Sequence, residues 1–331
     1  MLPLGRGRQR TASCRVYLPP RNSSGAVIPM NVQACLLALV ISVPVSLSAQ
    51  AGRQQAGEPI RGGVFEASGV VAVPGSSGVL FVDDGRPRHV LWMELDAKGA
   101  QNGRALPIPL GVPVTDLEDI TSDGTWFYAV GSQSKGNTKA GYGLVRFAFD
   151  PRTRTISDTA GIADLAGILR RRVPELGAGS RGRAGSLNIE GLTWDAASSR
   201  LLLGLREPTA GSSALIVAMK LRGGPHAPFD RNTLETAEMS VLRLPTDGLG
   251  IRGLGSDPST KSLLVLVGPA ADVPGRQPFR LLAWNASGTS SPVERASFQP
   301  QLKPEGVTRV VNGGRLRTLI VADTSRYLFL D

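Results

Sequence analysis

The stretch Asn188–Asp195, "NIEGLTWD", places a carboxylate and a glycine in front of a short β-like run. Related stretches begin at Asp116 ("DLEDITSD"), Gly250 ("GIRGLGSD") and Lys303 ("KPEGVTRV"). With "ASGVVAVP" as the first copy, the glycine-type positions are spaced by 50, 72, 62 and 53 residues, at Gly69, Asp119, Gly191, Gly253 and Gly306. Such intervals suit a repeated unit of four short strands, the size of a propeller blade.

Short apolar runs follow each copy at similar distances. The third copy continues with "LLLGL", "ALIVAMKL" and "MSVLRLP", each rich in β-forming residues and bounded by turn residues. We therefore predict an all-β fold, a β-propeller of five four-stranded blades, and leave open a sixth, degenerate blade in the 72-residue interval. The fifth copy ends one strand short, and we expect the segment "GGVFEAS" before Gly69 to supply the missing pairing.

One segment departs from the strand pattern. The apolar spacing of "GIADLAGILRRRVPEL", Gly161–Leu176, is typical of a helix. It lies beside the basic, glycine-rich "GAGSRGRAGS" in the longest interval. We predict one helical insertion, at about 160–186, between the second and third blades.

The N-terminal region has the composition of a secretory signal. The uncharged run Ala34–Leu47 is shorter than the roughly 18 to 20 residues of a membrane span, and "AQA" at 49–51 offers a cleavage site. We predict residues 1–51 as a removed leader, with Met30 as an alternative start and an uncleaved anchor as the competing interpretation. Residues 52–331 then form a single propeller domain, secreted or periplasmic, with no stable membrane span.

Net charge and cysteine content limit the reaction types that the mature chain can perform. The formal net charge is +10, and removal of the leader subtracts its five arginines to give +5. Both cysteines, Cys14 and Cys35, fall in the leader. The mature chain is therefore expected to lack a disulfide, a thiol nucleophile and a thiolate metal ligand.

Up-and-down blades bring the repeated acidic positions together. In such a blade the start of the first, innermost strand and the loop after the second strand share one rim. We predict a ring at one channel mouth, with Ser68 in the first blade, and Glu118, Glu190, Arg252 and Glu305 in the others. The loops after the second strands add Ser132, Arg206 and Asp323.

This ring has two interpretations. Convergent polar groups at a concave rim suit a ligand site. Alternatively, the acidic residues only cap backbone amides of the neighbouring blade, while the glycines let the sheets approach closely. Arg252 fits both, because it would neutralise the ring or clamp an anionic ligand.

Four segments together carry a family resemblance: "DLEDITSDGTWFYAVGSQS", "NIEGLTWDAASSRLLLGLREP", "GIRGLGSDPSTKSLLVLVG" and "PEGVTRVVNGG". The chain resembles two related groups of exported bacterial propellers, one described by an esterase-like activity of phytase and one of unknown function, to which it is more similar. The first resemblance implies a calcium ion and hydrolysis of a phosphate or carboxylic ester. The positions that match are Glu118, Glu190 and Glu305, and Arg252 departs from the acidic pattern.

The residues themselves restrict the mechanism. His89 and His226 are the only histidines and no Gly-x-Ser-x-Gly occurs, which argues against a serine triad and against zinc catalysis. Calcium suits carboxylate oxygens, and a rim glutamate could serve as general base. Our candidates are Glu190, Glu118 and Glu305 as catalytic residues; Arg252, Arg206, Ser132 and Asp323 as ligand contacts; and Glu118, Glu190, Glu305 and Asp116 as metal ligands, with Asp119 also available.

The expected partner is a small anionic molecule. Arginines cluster at Arg170–Arg172, Arg181 and Arg183, but a solvated loop explains them better than nucleic-acid binding, since aromatic residues for stacking are few. We expect a monomer. The competing function is a non-catalytic propeller that recognises a sugar, peptide or protein partner through the same face.

Overall fold

Strands dominate the computed structural model, which describes residues 56–134, 141–176, 187–222, 227–270, 278–286 and 290–330. The described residues form twenty strands in five antiparallel sheets of four. The first strand, β1 (Glu58–Pro59), belongs to the last sheet. Blade 1 comprises β2 (Ala67–Ala72), β3 (Gly78–Asp83), β4 (His89–Leu95) and β5 (Gln101–Pro109).

The remaining blades follow in chain order. Blade 2 comprises β6 (Leu117–Ser122), β7 (Phe127–Gly131), β8 (Leu144–Asp150) and β9 (Thr155–Ile162). Blade 3 comprises β10 (Asn188–Asp195), β11 (Arg200–Glu207), β12 (Ser213–Lys220) and β13 (Glu238–Pro245). Blade 4 comprises β14 (Gly250–Asp257), β15 (Ser262–Gly268), β16 (Phe279–Trp284) and β17 (Val293–Phe298). Blade 5 comprises β18 (Pro304–Asn312), β19 (Arg315–Ala322), β20 (Arg326–Leu330) and β1.

The first strand of each blade lies innermost, as the sequence predicted. Each inner strand contacts the inner strands of the two neighbouring blades, and β18 contacts β2, so the five sheets close a ring. The prediction of a five-bladed propeller is confirmed. The described part of the 72-residue interval forms β7 to β9 and a helix, so the sixth blade that we left open is not part of the fold.

The predicted insertion contains helix α1 (Leu165–Arg172) and a 3-10 turn at Pro174–Leu176. The Asp164 carboxylate caps α1 by accepting the Gly167 N–H at 3.2 Å. Leu165 and Leu169 are fully buried in the core between blades 2 and 3, which explains the apolar spacing of this segment. A second helix, α2 (Arg231–Glu235), was not predicted, because five residues are too few to show a helical period.

Five apolar clusters make up the core, one between each pair of neighbouring blades. Both faces of an inner sheet region are covered in this arrangement, so its strands are apolar along their length. In β11, Leu201 to Leu205 are buried without interruption. The outermost strand β5 instead exposes most of its residues.

The ring closes through β1, which pairs antiparallel with β20 at Glu58↔Tyr327 and Pro59↔Arg326. Our assignment of this role to "GGVFEAS" is wrong, because that segment follows β1 and leads into β2 of blade 1. Gly62 has φ +125°, which ends the extended run, and Val64 is exposed. The closing strand therefore lies a few residues upstream of the expected segment.

The propeller axis is filled by the side chain of Asp119. Its Oδ1 accepts the Ile120 N–H at 2.8 Å, and its Oδ2 accepts the N–H groups of Leu192 at 2.6 Å and Leu254 at 3.2 Å. These donors belong to blades 2, 3 and 4, and each follows the repeated glycine-type position. One buried carboxylate thus satisfies backbone groups of three blades, where unpaired N–H groups would be costly.

The other four copies have glycine at this position because the inner strands approach too closely for a side chain. A Cβ at Gly69 would lie 2.5 Å from the Asp119 Cα, and a Cβ at Gly253 would overlap the Glu305 carbonyl oxygen. The four glycines leave room for a single carboxylate at the axis. Burial raises the pKa of Asp119 well above its ordinary value, although its three backbone hydrogen bonds oppose this change.

No helix among the described residues is long and apolar enough to span a membrane. The predicted leader, residues 1–51, lies outside the described residues, as do Cys14, Cys35 and His226.

Replacement of Asp119 by alanine is expected to lower the free energy of unfolding by about 3–5 kcal/mol, because it leaves three buried N–H groups without an acceptor. Asp119→Asn, which keeps one carbonyl oxygen, should lose less. Urea unfolding measures both, with Glu238→Ala on the exposed outer strand β13 as control. An alanine variant as stable as the wild type would contradict the axial role of Asp119.

Candidate functional site

A β-bulge aims one side chain of each blade at the channel mouth. Between the first and second strands, the pairing always skips one residue at the same repeat position. A bulge bends the strand and redirects the side chain of the extra residue. The five bulged residues are the predicted ring: Ser68, Glu118, Glu190, Arg252 and Glu305.

Arg252 ties two of the ring carboxylates together. Its Nη1 lies 2.9 Å from Glu190 Oε2, and its Nη2 donates to Glu305 Oε1. All three side chains are about nine-tenths buried. Burial lowers the pKa of Arg252, but attraction to Glu190 and Glu305 outweighs burial, so its pKa is raised and its charge is retained.

Glu190 is also held from the other side. Its Oε1 accepts a hydrogen bond from Arg206 Nη1 at 2.9 Å and from Asn188 Nδ2 at 3.0 Å. Arg206 Nε in turn donates to the Ala270 carbonyl oxygen at 3.0 Å. Both predicted arginine contacts are therefore engaged by protein groups, and the carboxylates of Glu190 and Glu305 are fixed in place.

Glu118 differs from the other ring members. No hydrogen bond or ion pair reaches its carboxylate from any residue that the structure describes, although the residue is half-buried. Burial raises its pKa well above the ordinary value, and the nearby charges of Glu190, Glu305 and Asp116 add to this shift. Glu118 is the ring group that is available to a ligand.

A second carboxylate group lies on the same rim in blade 1. Glu66, Asp83 and Asp84 bring their oxygens within 4.8 Å of one another. Asp83 is held by the Gly85 N–H at 2.9 Å and by Arg86 Nε at 3.0 Å. Asp84 Oδ1 is buried and makes no hydrogen bond with a described residue.

The electrostatic environment of Asp84 links this group to the ring. Burial raises the pKa of Asp84 to about 7, and Glu66, Asp116 and Asp83 contribute through hydrogen bonding and charge. Asp116 also raises the pKa of Glu118. The carboxylates of blade 1 and those of the ring are therefore close enough to interact electrostatically through Asp116. We call the whole surface the acidic mouth; its carboxylates are Glu66, Asp83, Asp84, Asp116, Glu118, Glu190, Glu305 and Asp323.

The remaining predicted site residues, Ser132 and Asp323, lie on the same mouth, and each interacts with a neighbouring side chain. Ser132 is buried and donates to Asp116 Oδ2. Asp323 pairs with Lys303 Nζ at 2.5 Å and influences the pKa of Glu305. Within the described part of the mouth, eight carboxylates meet four cations, Arg86, Arg206, Arg252 and Lys303. The mouth is acidic on a chain whose overall charge is positive.

One further sequence prediction, that of His89, can now be placed, and one group was not predicted. His89 begins β4 and is half-buried, as expected of a structural histidine. The group of Glu66, Asp83 and Asp84 was missed, although its signal was visible: two consecutive acids in a loop on the predicted rim, and a third acid just before the first inner strand.

Comparison with known proteins gives a family match for part of the chain. A family described as "Protein of unknown function (DUF3616)" matches residues 180–314, which contain three of the five repeat copies. This agrees with the resemblance to a family of unknown function. None of the curated proteins matches the chain.

Two solved structures are weakly similar to the chain. One described as "glucose dehydrogenase" is 12% identical, with a TM-score of 0.44, and the match covers 83% of this chain and 98% of that one. Another, "Crystal structure of glucose dehydrogenase", is 10% identical, with a TM-score of 0.44 and coverage of 82% and 97%. Likeness at this level says nothing about the chemistry of this chain.

Replacing Arg252 by methionine is expected to lower the free energy of unfolding by about 3–5 kcal/mol, because it leaves the buried carboxylate of Glu305 without its cation and that of Glu190 with Arg206 alone. Chemical denaturation at neutral pH measures the loss. Additional replacement of Glu190 and Glu305 by glutamine should recover much of it. If Arg252→Met alone is neutral, the ion pairs do not hold the mouth together.

Glu118→Gln is expected to stabilise the protein at pH 8, because the raised pKa shows that the charged carboxylate is disfavoured in the folded state. Below the unfolded pKa of about 4.3 both states are protonated, so the gain disappears; it grows as pH rises above that value. Urea unfolding at pH 4.5 and pH 8 with a chelator present tests the sign. A variant that is less stable at pH 8 would show that the charged form has a favourable partner.

Proposed function

We propose that the acidic mouth is a functional site that binds a calcium ion and hydrolyses a phosphate or carboxylic ester of a small anionic molecule. Glu118 carries the proposal: its carboxylate is half-buried, has a raised pKa and lacks a partner among the described residues, while its neighbours are paired. Strongly perturbed carboxyl groups in a cleft are typical of functional sites.

The donor set of blade 1 fits calcium better than the ring does. Calcium takes hard oxygen ligands in irregular geometry, and Glu66, Asp83 and Asp84 supply such oxygens close together. The buried, unbonded Asp84 Oδ1 is the atom that a bound cation would satisfy. In the ring, Glu190 and Glu305 are already paired with Arg252, so we assign the cation to Glu66, Asp83 and Asp84.

Each residue of the mouth has a separate role in the proposed hydrolysis. A bound calcium ion would polarise a phosphoryl or carbonyl oxygen of the substrate. Glu118 would take the proton of the attacking water and pass it to the leaving-group oxygen, because it is the ring carboxylate without a partner among the described residues and burial raises its pKa above the ordinary value. Arg252 and Arg206 fix Glu190, while burial, and after it the nearby carboxylates of Glu190 and Glu305, keeps the pKa of Glu118 high.

We also propose that the protein acts outside the cytoplasm as a monomer. The basic leader, its short apolar run and the "AQA" site support export. N-terminal sequencing of the protein from periplasm or medium tests the cleavage. A mature N-terminus at Met1 or Met30 would contradict it.

A non-catalytic binding function is the second candidate. One observation favours it: the described arginines of the mouth are engaged by protein groups, which leaves an excess of carboxylates. Such a surface attracts a basic peptide rather than an anion. Binding of lysine-rich peptides, weakened by salt and without any turnover, would favour this alternative.

Calcium at 10 mM is expected to stabilise the protein by about 2.7 kcal/mol if the dissociation constant is about 0.1 mM, as in extracellular sites. Thermal unfolding with and without calcium measures this. Asp84→Asn should abolish the effect, while Glu238→Gln, an exposed acid on β13, should keep it.

Hydrolysis needs a separate readout. In a screen of aryl phosphates and aryl esters, Glu118→Gln should abolish turnover and leave the calcium-dependent stabilisation intact. Unchanged melting in calcium together with no turnover of any substrate would reject the proposed function.

A further inference from the structure

The opposite end of the channel holds a second cavity of about 450 Å³. All five inner strands line it with residues that follow the repeated glycine-type position; among them are Val71, Thr121, Thr193, Gly255 and Thr308. Its volume lies in the range of small-molecule sites, about 300–1,000 Å³. Asp119 fills the axis between this cavity and the acidic mouth, so the two sites are separate.

Three threonines occupy the same repeat position in this cavity, in "EDIT", "EGLT" and "EGVT". Thr121 Oγ1 accepts the Trp194 N–H at 3.0 Å, and Thr308 Oγ1 accepts the Ala72 N–H at 3.3 Å. Each of these hydroxyls therefore keeps its hydrogen for another acceptor. They tie neighbouring blades together and still present donors to the cavity.

Thr193 differs from the other two threonines, because its hydroxyl makes no hydrogen bond with any residue in the described ranges. The residue is only 2% exposed and lines the cavity. The Thr193 hydroxyl therefore has both its hydrogen and its lone pairs available to a ligand in the cavity.

The charged side chains of the lining are engaged by protein groups, although Arg309 Nε makes no hydrogen bond and lies 3.5 Å from Asp257 Oδ2. Asp123 accepts the N–H groups of Thr125 and Trp126 and the Tyr128 hydroxyl, at 2.7–2.8 Å. Arg309 donates to Thr318 Oγ1 at 2.6 Å and to the Leu316 carbonyl oxygen at 3.3 Å, and it pairs with Asp257. The cavity offers hydroxyls without free charge, which favours a neutral ligand over an ion.

The walls are partly apolar. Trp194 is half-buried and stacks on Tyr128, with ring centroids 6.5 Å apart. On the other side the β18–β19 hairpin, closed by the tight turn Gly313–Gly314, presents the exposed side chains of Val311 and Leu316. A lining that combines apolar side chains with hydroxyl groups matches a molecule with a C–H face and a hydroxyl rim.

We propose that this cavity binds a neutral sugar or related polyol of monosaccharide size, with the hydroxyls of Thr121, Thr193 and Thr308 as its polar contacts and Trp194 as its apolar wall. The hydroxyl groups of such a ligand donate and accept, as those of threonine do. The site is independent of the function proposed for the acidic mouth.

Isothermal titration calorimetry of the full mature protein with glucose, galactose and N-acetylglucosamine tests the proposal, with inorganic phosphate as the charged probe. At least one sugar should bind, with an affinity that does not change between low and high salt. Thr193→Val should weaken binding about five- to tenfold, the loss of one neutral hydrogen bond. Thr193→Ser, which retains the hydroxyl, should restore affinity.

Controls separate a binding defect from a folding defect. Thr155→Val, on the exposed outer strand β9, should bind as the wild type does. Asp84→Asn should also bind sugar normally, because it lies on the opposite mouth. Absence of binding by all three sugars, full affinity in Thr193→Val, or salt-sensitive binding of phosphate in place of sugar would each overturn the proposal.

Discussion

The carboxylate of Asp119 at the propeller axis is the contact on which the arrangement of blades depends. It accepts backbone hydrogen bonds from three blades in a space that four glycines leave open. The inner strands approach so closely that no second side chain fits there. Asp119 thereby holds the blades together and separates the two ends of the channel. One end carries carboxylates, and the other is lined by threonine hydroxyls and apolar side chains.

The β-bulges of the inner strands place charged side chains at one mouth of the channel. Each bulge directs one residue of its blade towards the rim. Because the ring is tight, carboxylates of different blades lie close enough to raise the pKa of Glu118. Arg252 makes the crowding tolerable by pairing with Glu190 and Glu305. Glu118 has no ion pair with any residue in the described ranges, and the charge of Arg252 offsets only part of the effect of burial on its pKa. Natural proteins keep uncompensated groups of this kind where function requires them.

Sequence periodicity was sufficient to predict the five blades and the membership of the ring, because each copy repeats the same apolar runs. It did not show the bulges, since a one-residue shift in pairing leaves no mark on an apolar pattern. Asp119 was placed at the repeated glycine-type position and considered as a metal ligand, but the replacement of glycine by aspartate in just one copy was not connected with the propeller axis. The pairing of Arg252 and the closeness of Glu66 to Asp84 depend on contacts between distant segments, which spacing alone does not encode.

The most direct test of a cation at the acidic mouth is a crystal structure grown in millimolar calcium, with anomalous diffraction measured at long wavelength. We predict an anomalous peak about 2.3–2.6 Å from carboxylate oxygens of Glu66, Asp83 and Asp84. The same map should show Arg252 still bound between Glu190 and Glu305. A peak between Glu190 and Glu305 with Arg252 displaced, or no peak at the mouth, would contradict the account.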